Sequence, residues 1–184
     1  MVLYINACVR EESRTDRLAR ALLKKLGGPA EEVYLPGLGL KGVDRALLNK
    51  RDAALANGDH SDPAFDLAKQ FAAADTIVVS APYWDLSFPA VLKTYLENIY
   101  VQGVVTRFNR DGSQIGLCKA EKLYYVSTAG GQFTKEFGYE YVSALVKNCF
   151  GVKETELIYA EMLDIWGYDA EQILRETMKK YALE

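Results

Sequence analysis

Apolar residues recur along this chain in two alternating rhythms. Short runs rich in β-branched and aromatic residues read as five strands: Val2-Leu3-Tyr4-Ile5-Asn6, Glu32-Val33-Tyr34-Leu35, Ile77-Val78-Val79, Leu123-Tyr124-Tyr125-Val126-Ser127 and Leu157-Ile158-Tyr159-Ala160. A run that is apolar at every position must be covered on both faces, which is the condition of a strand inside a parallel sheet. Between the runs, apolar residues recur at steps of three and four. From about Arg14 to Leu26 a helix is expected, with Leu18, Ala19, Leu22, Leu23 and Leu26 on one face. Ser13 suits its N-cap, Gly27 and Gly28 end it, and Pro29 keeps it ended. Val91, Leu92, Tyr95, Leu96 and Ile99 form a second stripe, with Pro89 in the first turn, where a missing N–H costs nothing. A third helix opens at Asp62-Pro63 and turns Phe65, Leu67, Ala68 and Phe71 inward. Another is expected from about Thr134 to Cys149, carrying Phe137, Tyr141, Leu145 and Val146. The last begins at Asp169 and Gln172, a capping-box spacing, and buries Ile173, Leu174, Met178 and Tyr181.

Two stretches break the alternation. Pro36 to Ser61 holds Gly37, Gly39, Gly42 and Gly58 and is long for a connection, so a short helix from Val43 to Ala56 and a covering or lid-like role are expected. Gly103 to Leu117 is polar around the turn signal Asp111-Gly112 and reads as a hairpin-like excursion. Five strands alternating with helices imply an α/β architecture, a doubly wound five-stranded parallel sheet. Its expected order is 2-1-3-4-5, with the switch point between the first and third strands. The 184 residues suffice for one sizeable core, and no repeat or linker marks a second domain, so 1–184 is read as a single domain.

Composition narrows the function. Hydrophobic residues at 49% and charged residues at 26% fit an ordinary globular protein. A net charge of −3 provides no field to draw nucleic acid or an anionic membrane. No apolar run reaches the roughly 20 residues that span a bilayer. The start MVLYINACVR runs straight into a strand, without the cleavable pattern of a signal peptide. Cys8, Cys118 and Cys149 are too few and too far apart for a disulfide framework or a zinc site, and the cytoplasm is the expected compartment. His60, the sole histidine, lies in the polar stretch Asn57 to Asp62, as a surface-loop residue would, so no His-based triad is expected. An enzyme built on this chain would take its chemistry from a bound cofactor.

Loops after the first, third and fourth strands meet at one edge of the expected sheet, the edge where open α/β sheets bind ligands. The first brings Arg10, Ser13, Arg14 and Thr15 to a helix start, where free N–H groups, hydroxyls and guanidinium groups suit a phosphate. A capped helix with solvated arginines would carry the same residues. No glycine-rich dinucleotide fingerprint and no Walker pattern is present, which favours a terminal monophosphate. The second loop, Ala81 to Phe88, places Tyr83, Trp84 and Phe88 past a strand end, either for a ligand or to cover the sheet edge. In the third, Thr128 to Phe133, Gly130-Gly131 permits close approach of a flat ligand, or simply a tight turn. Phosphate on the first loop and a planar ring on the other two describe a flavin mononucleotide (FMN) site.

The segments NACVREESRTDRLA, APYWDLSFPAVLKTYLENI, QGVVTRFNRDG and STAGGQF, in this order, resemble the flavodoxin-like NAD(P)H oxidoreductases, the quinone reductase and FMN-dependent azoreductase group. The resemblance implies a flavodoxin-like fold and FMN as cofactor. It places Arg10, Ser13, Arg14 and Thr15 at the phosphate. Pro82, Tyr83, Trp84, Asp85 and Leu86, with Thr128, Ala129, Gly130 and Gly131, fall at the ring, and Phe108 and Phe133 on the substrate side. It further implies NADH or NADPH as donor, a quinone, azo or nitroaromatic acceptor, ping-pong hydride transfer without an essential acid or base residue, and a homodimer with sites at its interface. Asp85 stands where azoreductases often have Asn, Ala129 replaces a larger or charged residue, and Pro36 to Ser61 does not match. Asp85 either turns its carboxylate toward the ring or points outward and caps the following helix. The alternative function is a flavodoxin-type electron carrier without turnover; such carriers tend to be more acidic, with a hydroxyl-rich phosphate loop.

Overall fold

The computed structural model describes residues 1–183. The five apolar runs form β1 (Val2–Asn6), β2 (Ala30–Tyr34), β3 (Thr76–Ser80), β6 (Lys122–Thr128) and β7 (Glu154–Ala160). They pair in parallel in the order β2-β1-β3-β6-β7. The hairpin β4 (Thr106–Phe108) and β5 (Gln114–Gly116) is a separate antiparallel pair. The helices are α1 (Arg14–Leu26), α2 (Arg45–Ala56), α3 (Asp66–Ala73), α4 (Ala90–Ile99), α5 (Tyr139–Leu145) and α6 (Ala170–Lys180).

Alternation along each strand divides the interior into two layers. Leu3, Ile5, Ile77, Val79, Leu123 and Tyr125 face one side and pack with Phe71 of α3, Leu92, Tyr95 and Ile99 of α4, and Val142 of α5. Tyr4, Val78, Val126 and Ile158 face the other side, against Leu18, Ala19 and Leu22 of α1, with Met178 of α6 at the margin. Both faces of the sheet are therefore covered by helices, which is why its central strands β1, β3 and β6 are apolar over most of their length, whereas the edge strands β2 and β7 carry glutamates. Ser13 caps α1 by accepting from the Asp16 amide, and Pro89 sits at the N-cap of α4, just ahead of its first turn.

Three expectations are corrected. The helix expected from Thr134 begins at Tyr139, and the chain enters it through Gly138, where an added Cβ would lie 3.4 Å from the Tyr125 hydroxyl. Phe137 is consequently exposed outside the helix, its carbonyl accepting from Ser87 Oγ. The same helix ends in a π-helical turn, Val146–Phe150, stopped by left-handed Gly151. At α6, Asp169 accepts from the Glu171 and Gln172 amides, but the Gln172 side chain donates to Glu176, so the reciprocal half of the capping box is missing. The Pro36 to Ser61 stretch does form a helix, α2, but it covers the end of α4 rather than a ligand cleft. Buried Arg51 fastens it by donating to the Ala64 and Asn98 carbonyls, and Asn98 Nδ2 donates back to the Lys41 carbonyl.

The hairpin is seated by a glycine–glycine contact: a Cβ on Gly116 would lie 2.0 Å from the Gly151 nitrogen and 2.1 Å from the Phe150 carbonyl carbon. Backbone cannot yield as a side chain does. Gly116→Ala is expected to cost about 1–3 kcal/mol of stability as the hairpin is pushed off the π-helical turn. Urea denaturation checks this against Gly42→Ala, where an added Cβ meets nothing.

Candidate functional site

The carboxyl ends of β1, β3, β6 and β7 open into four loops around a cleft of ≈ 220 Å³. Arg10, Glu12, Ser13, Arg14 and Thr15 contribute from the entry to α1, and Pro82, Tyr83 and Trp84 from the loop after β3. Thr128 and Gly130 come from the end of β6, and Asp164 from the loop after β7. Asp85, Leu86, Ala129, Gly131, Phe108 and Phe133 do not line it. Glu12 and Asp164, both absent from the sequence-based set, do.

One end of the cleft is the start of α1. Its first N–H groups have no partner within the helix and face outward along the axis, where they favour an anion. Buried Thr15 and Thr128 touch through their hydroxyls at 2.6 Å. Since one must donate to the other, the second hydroxyl keeps a proton for a ligand. Beneath them lies a buried polar network that the sequence reading missed. The Tyr4 hydroxyl lies 2.5 Å from Asp16 Oδ1 and 2.8 Å from Ser80 Oγ. Asn6 Nδ2 donates to Asp16 and Glu32, and its Oδ1 accepts from the Cys8 amide and Ser80 Oγ. Its only trace in the sequence is a polar residue, Asn6 or Ser80, ending an otherwise apolar strand. Burial, reinforced by Asp16, raises the Tyr4 phenol above its ordinary range, and burial likewise raises the Cys8 thiol. Both stay protonated at neutral pH.

The two loop arginines differ. Arg10 is exposed, whereas Arg14 is tied to the loop after β7, donating to the Leu163 carbonyl at 2.9 Å and to Asp164 Oδ1 at 2.6 Å. That loop runs beside the one after β6: the Met162, Leu163 and Asp164 amides donate to the Gly131, Ala129 and Gly130 carbonyls. A Cβ on Gly130 would lie 2.3 Å from Asp164 Oδ2, so a side chain there would push the exposed carboxylate aside.

The other end is the loop after β3. Trp84 and Ser87 exchange both backbone hydrogen bonds around Asp85 (φ +50°) and Leu86 (φ +67°), a two-residue turn with both central residues left-handed. The Asp85 and Leu86 amides donate to nothing among the described residues. Asp85 does not cap α4, whose start has no side-chain cap at all; the turn and Ser87-Phe88 separate the two. Tyr83 is held by its amide to the Thr128 carbonyl and its hydroxyl to Thr134. Phe133 belongs to an aromatic stack behind the cleft, 5.0 Å from the Tyr83 ring and 4.8 Å from Tyr159. Phe108 is half-exposed on the hairpin.

A family model described as flavodoxin-like fold matches residues 1–183. The chain belongs to this flavodoxin-like family. Among its relatives, the FMN-dependent NADH:quinone oxidoreductase 2 of Clostridium acetobutylicum is 32% identical over 97% of this chain and 94% of its own. The FMN-dependent NADH:quinone oxidoreductase of Clostridium beijerinckii has the same identity and coverage. Of solved structures, an azoreductase from Bacillus anthracis superposes with a TM-score of 0.82 at 23% identity, covering 98% of this chain and 96% of that one. An FMN-dependent NADH-azoreductase from the same species, in complex with FMN, gives 0.77 at 19% identity over 99% and 96%. These structural likenesses bear on the fold.

The cleft of this flavodoxin-like chain fits the group that those names carry. Helix-start amides, the Ser13, Thr15 and Thr128 hydroxyls and two guanidinium groups form a phosphate-type donor set at one end. At the other, Tyr83 and Trp84 leave walls suited to a flat ring. The left-handed turn that shapes this end carries strain, since a non-glycine residue there costs about 1–2 kcal/mol. Leu86 is 58% exposed and has little packing to lose. Leu86→Gly is expected to leave stability unchanged or raise it by up to about 1 kcal/mol, the relieved strain partly offset by greater unfolded-state freedom. Thermal and urea unfolding check this; a clear loss would mean that the Leu86 side chain packs against the turn.

Proposed function

We propose that this chain is an FMN-dependent NAD(P)H oxidoreductase that reduces quinones, azo or nitroaromatic compounds in a ping-pong cycle. The observation that carries the reading is one cleft joining a helix start suited to an anion to an aromatic, amide-rich ring end, in a chain 32% identical over nearly its whole length to proteins named FMN-dependent NADH:quinone oxidoreductase. Ser13, Thr15, Arg10 and Arg14 hold the phosphate. Pro82, Tyr83, Trp84, Thr128 and Gly130 border the ring, and Leu86, Ala129 and Gly131, outside the cleft lining, belong to the same loops. Unpartnered amides of Asp85 and Leu86 offer hydrogen bonds to its polar edge. FMN, when bound, supplies two-electron hydride chemistry. The protein contributes orientation and exclusion of water, and no side chain need act as an essential acid or base.

The main sheet is read as one domain of the doubly wound 2-1-3-4-5 order, with the hairpin as an insertion before the fourth strand. A homodimer gives that hairpin a role: Phe108, outside the cleft of its own chain, would face the cleft of a second copy, and Phe133 would border the acceptor after the ring loops adjust. NADH is the donor named for the relatives. The cytoplasm suits three cysteines that form no disulfide.

Titration of the flavin-free protein with FMN should saturate at one per chain, and the loaded protein should oxidise NADH steadily with menadione, which an electron carrier would not. Initial-rate plots at several menadione concentrations are expected to be parallel. Intersecting lines would sink the shared-site model.

Asp85 is exposed and has no hydrogen-bond partner among the described residues, which leaves its carboxylate free at the ring end. Within roughly 6 Å of the ring, at an effective dielectric of about 20, it would oppose added electrons by ~3 kcal/mol, equivalent to about 60 mV for a two-electron couple. Asp85→Asn is therefore expected to keep FMN bound and raise its midpoint potential by tens of millivolts. A shift below roughly 10 mV in a potentiometric titration places the carboxylate outside the ring's field.

A further inference from the structure

We propose that Asp164 is a built-in counter-anion for the phosphate end of the cleft: it holds the Arg14 guanidinium in place while no phosphate is present, and yields it when FMN enters. The inference rests on the FMN reading above and concerns how the chain's own charges tune it. Asp164 is fixed in the cleft wall by its backbone, the amide donating to the Gly130 carbonyl at 2.8 Å, with Oδ2 packed over the Gly130 Cα. Oδ1 takes Arg14 Nη2 at 2.6 Å.

Two features make this pair exchangeable rather than permanent. The Asp164 side chain is 62% exposed and that of Arg14 27%, and an ion pair so open to water contributes little net stability. A phosphate offers more charge and three acceptor oxygens to the same guanidinium. Arg14 also does not depend on the carboxylate alone. Its Nη1 donates to the Leu163 carbonyl, a backbone group itself held by the Leu163 amide on the Ala129 carbonyl. Released by Asp164, the guanidinium therefore stays at the cleft wall.

The charge balance gives the exchange a direction. Arg10 and Arg14 line the cleft together with Glu12 and Asp164, so its formal side-chain charges cancel before any ligand arrives. A phosphate dianion must compete with Asp164 for Arg14 and remain near a carboxylate that has lost its partner. Asp164 is thus a positioning residue that orients Arg14 and lowers the affinity for FMN.

Fluorescence titration of the flavin-free full chain with FMN and with riboflavin, which has the same ring and no phosphate, tests this. Asp164→Asn keeps an oxygen that can accept from Arg14 but removes the charge. It is expected to tighten FMN by about three- to tenfold while riboflavin changes by less than about twofold. The gain should shrink as salt rises. Arg14→Gln is expected to cost at least about tenfold for FMN and little for riboflavin. If Asp164→Asn changes both flavins alike, Asp164 is only a brace between loops; if it selectively weakens FMN, the carboxylate helps phosphate binding. Either result overturns the proposal while the FMN reading stands. Failure of the unaltered chain to bind either flavin overturns that reading and this inference with it.

Discussion

The cleft depends on one carboxylate. Asp16, in the first turn of α1, takes the Tyr4 hydroxyl, the Asn6 amide group and Arg20 on its two oxygens, while its backbone N–H is capped by Ser13. Through Tyr4 and Asn6 it is tied to β1, through Ser80 to β3, and through Arg20 and Glu32 to β2. The start of α1 is thereby fixed against three strands at once, and the direction in which its free amides point is set by the sheet. A negative group there also suits the positive end of the helix. Because Tyr4, Asn6 and Ser80 are buried, removing the Asp16 carboxylate would leave buried polar groups without a partner, a larger loss than a single hydrogen bond.

Strain is concentrated at the same edge of the sheet. Asp85 and Leu86 after β3, and Met162 after β7, all hold left-handed backbone conformations. Such conformations persist only where the surroundings impose them. Here the paired Trp84 and Ser87 amides impose the first two, and hydrogen bonds between the loops after β6 and β7 impose the third. The result is a cleft whose walls are shaped before a ligand arrives, so that binding has less ordering to accomplish. At the phosphate end, the Leu163 carbonyl likewise holds Arg14 at the cleft wall.

Much of this was legible in the chain. Short apolar runs gave the five strands, and the 3–4 stripe of α1, with Ser13 before it and glycine after it, gave that helix with its bounds, because these signals are local and redundant. Positions near strand ends, such as Thr15, Tyr83, Thr128 and Gly130, could be assigned to one edge because parallel strands joined by helices place their carboxyl ends together. Where a local signal stood alone it misled. The stripe from Thr134 suggested a longer helix than α5, since its early apolar residue, Phe137, follows helical spacing without being buried. The capping-box spacing at Asp169 fixed the cap but not the partner of Gln172, which was free to choose a neighbour one turn on.

The sequence by itself determined the fold class, the face that each helix buries and the strand ends at which a ligand site could form. All of these follow from hydrophobic periodicity and short-range backbone chemistry. Only the tertiary structure decided which polar groups meet. Arg14 and Asp164 stand 150 residues apart and Asn6 and Glu32 26 apart, and nothing in their local surroundings pairs them. Their partnership arises because parallel pairing of β1 with β2 and of β6 with β7 brings distant loops to one edge. The same constraint recruited Glu12 and Asp164 to the cleft and set Phe133 behind it, in a stack with Tyr83 and Tyr159.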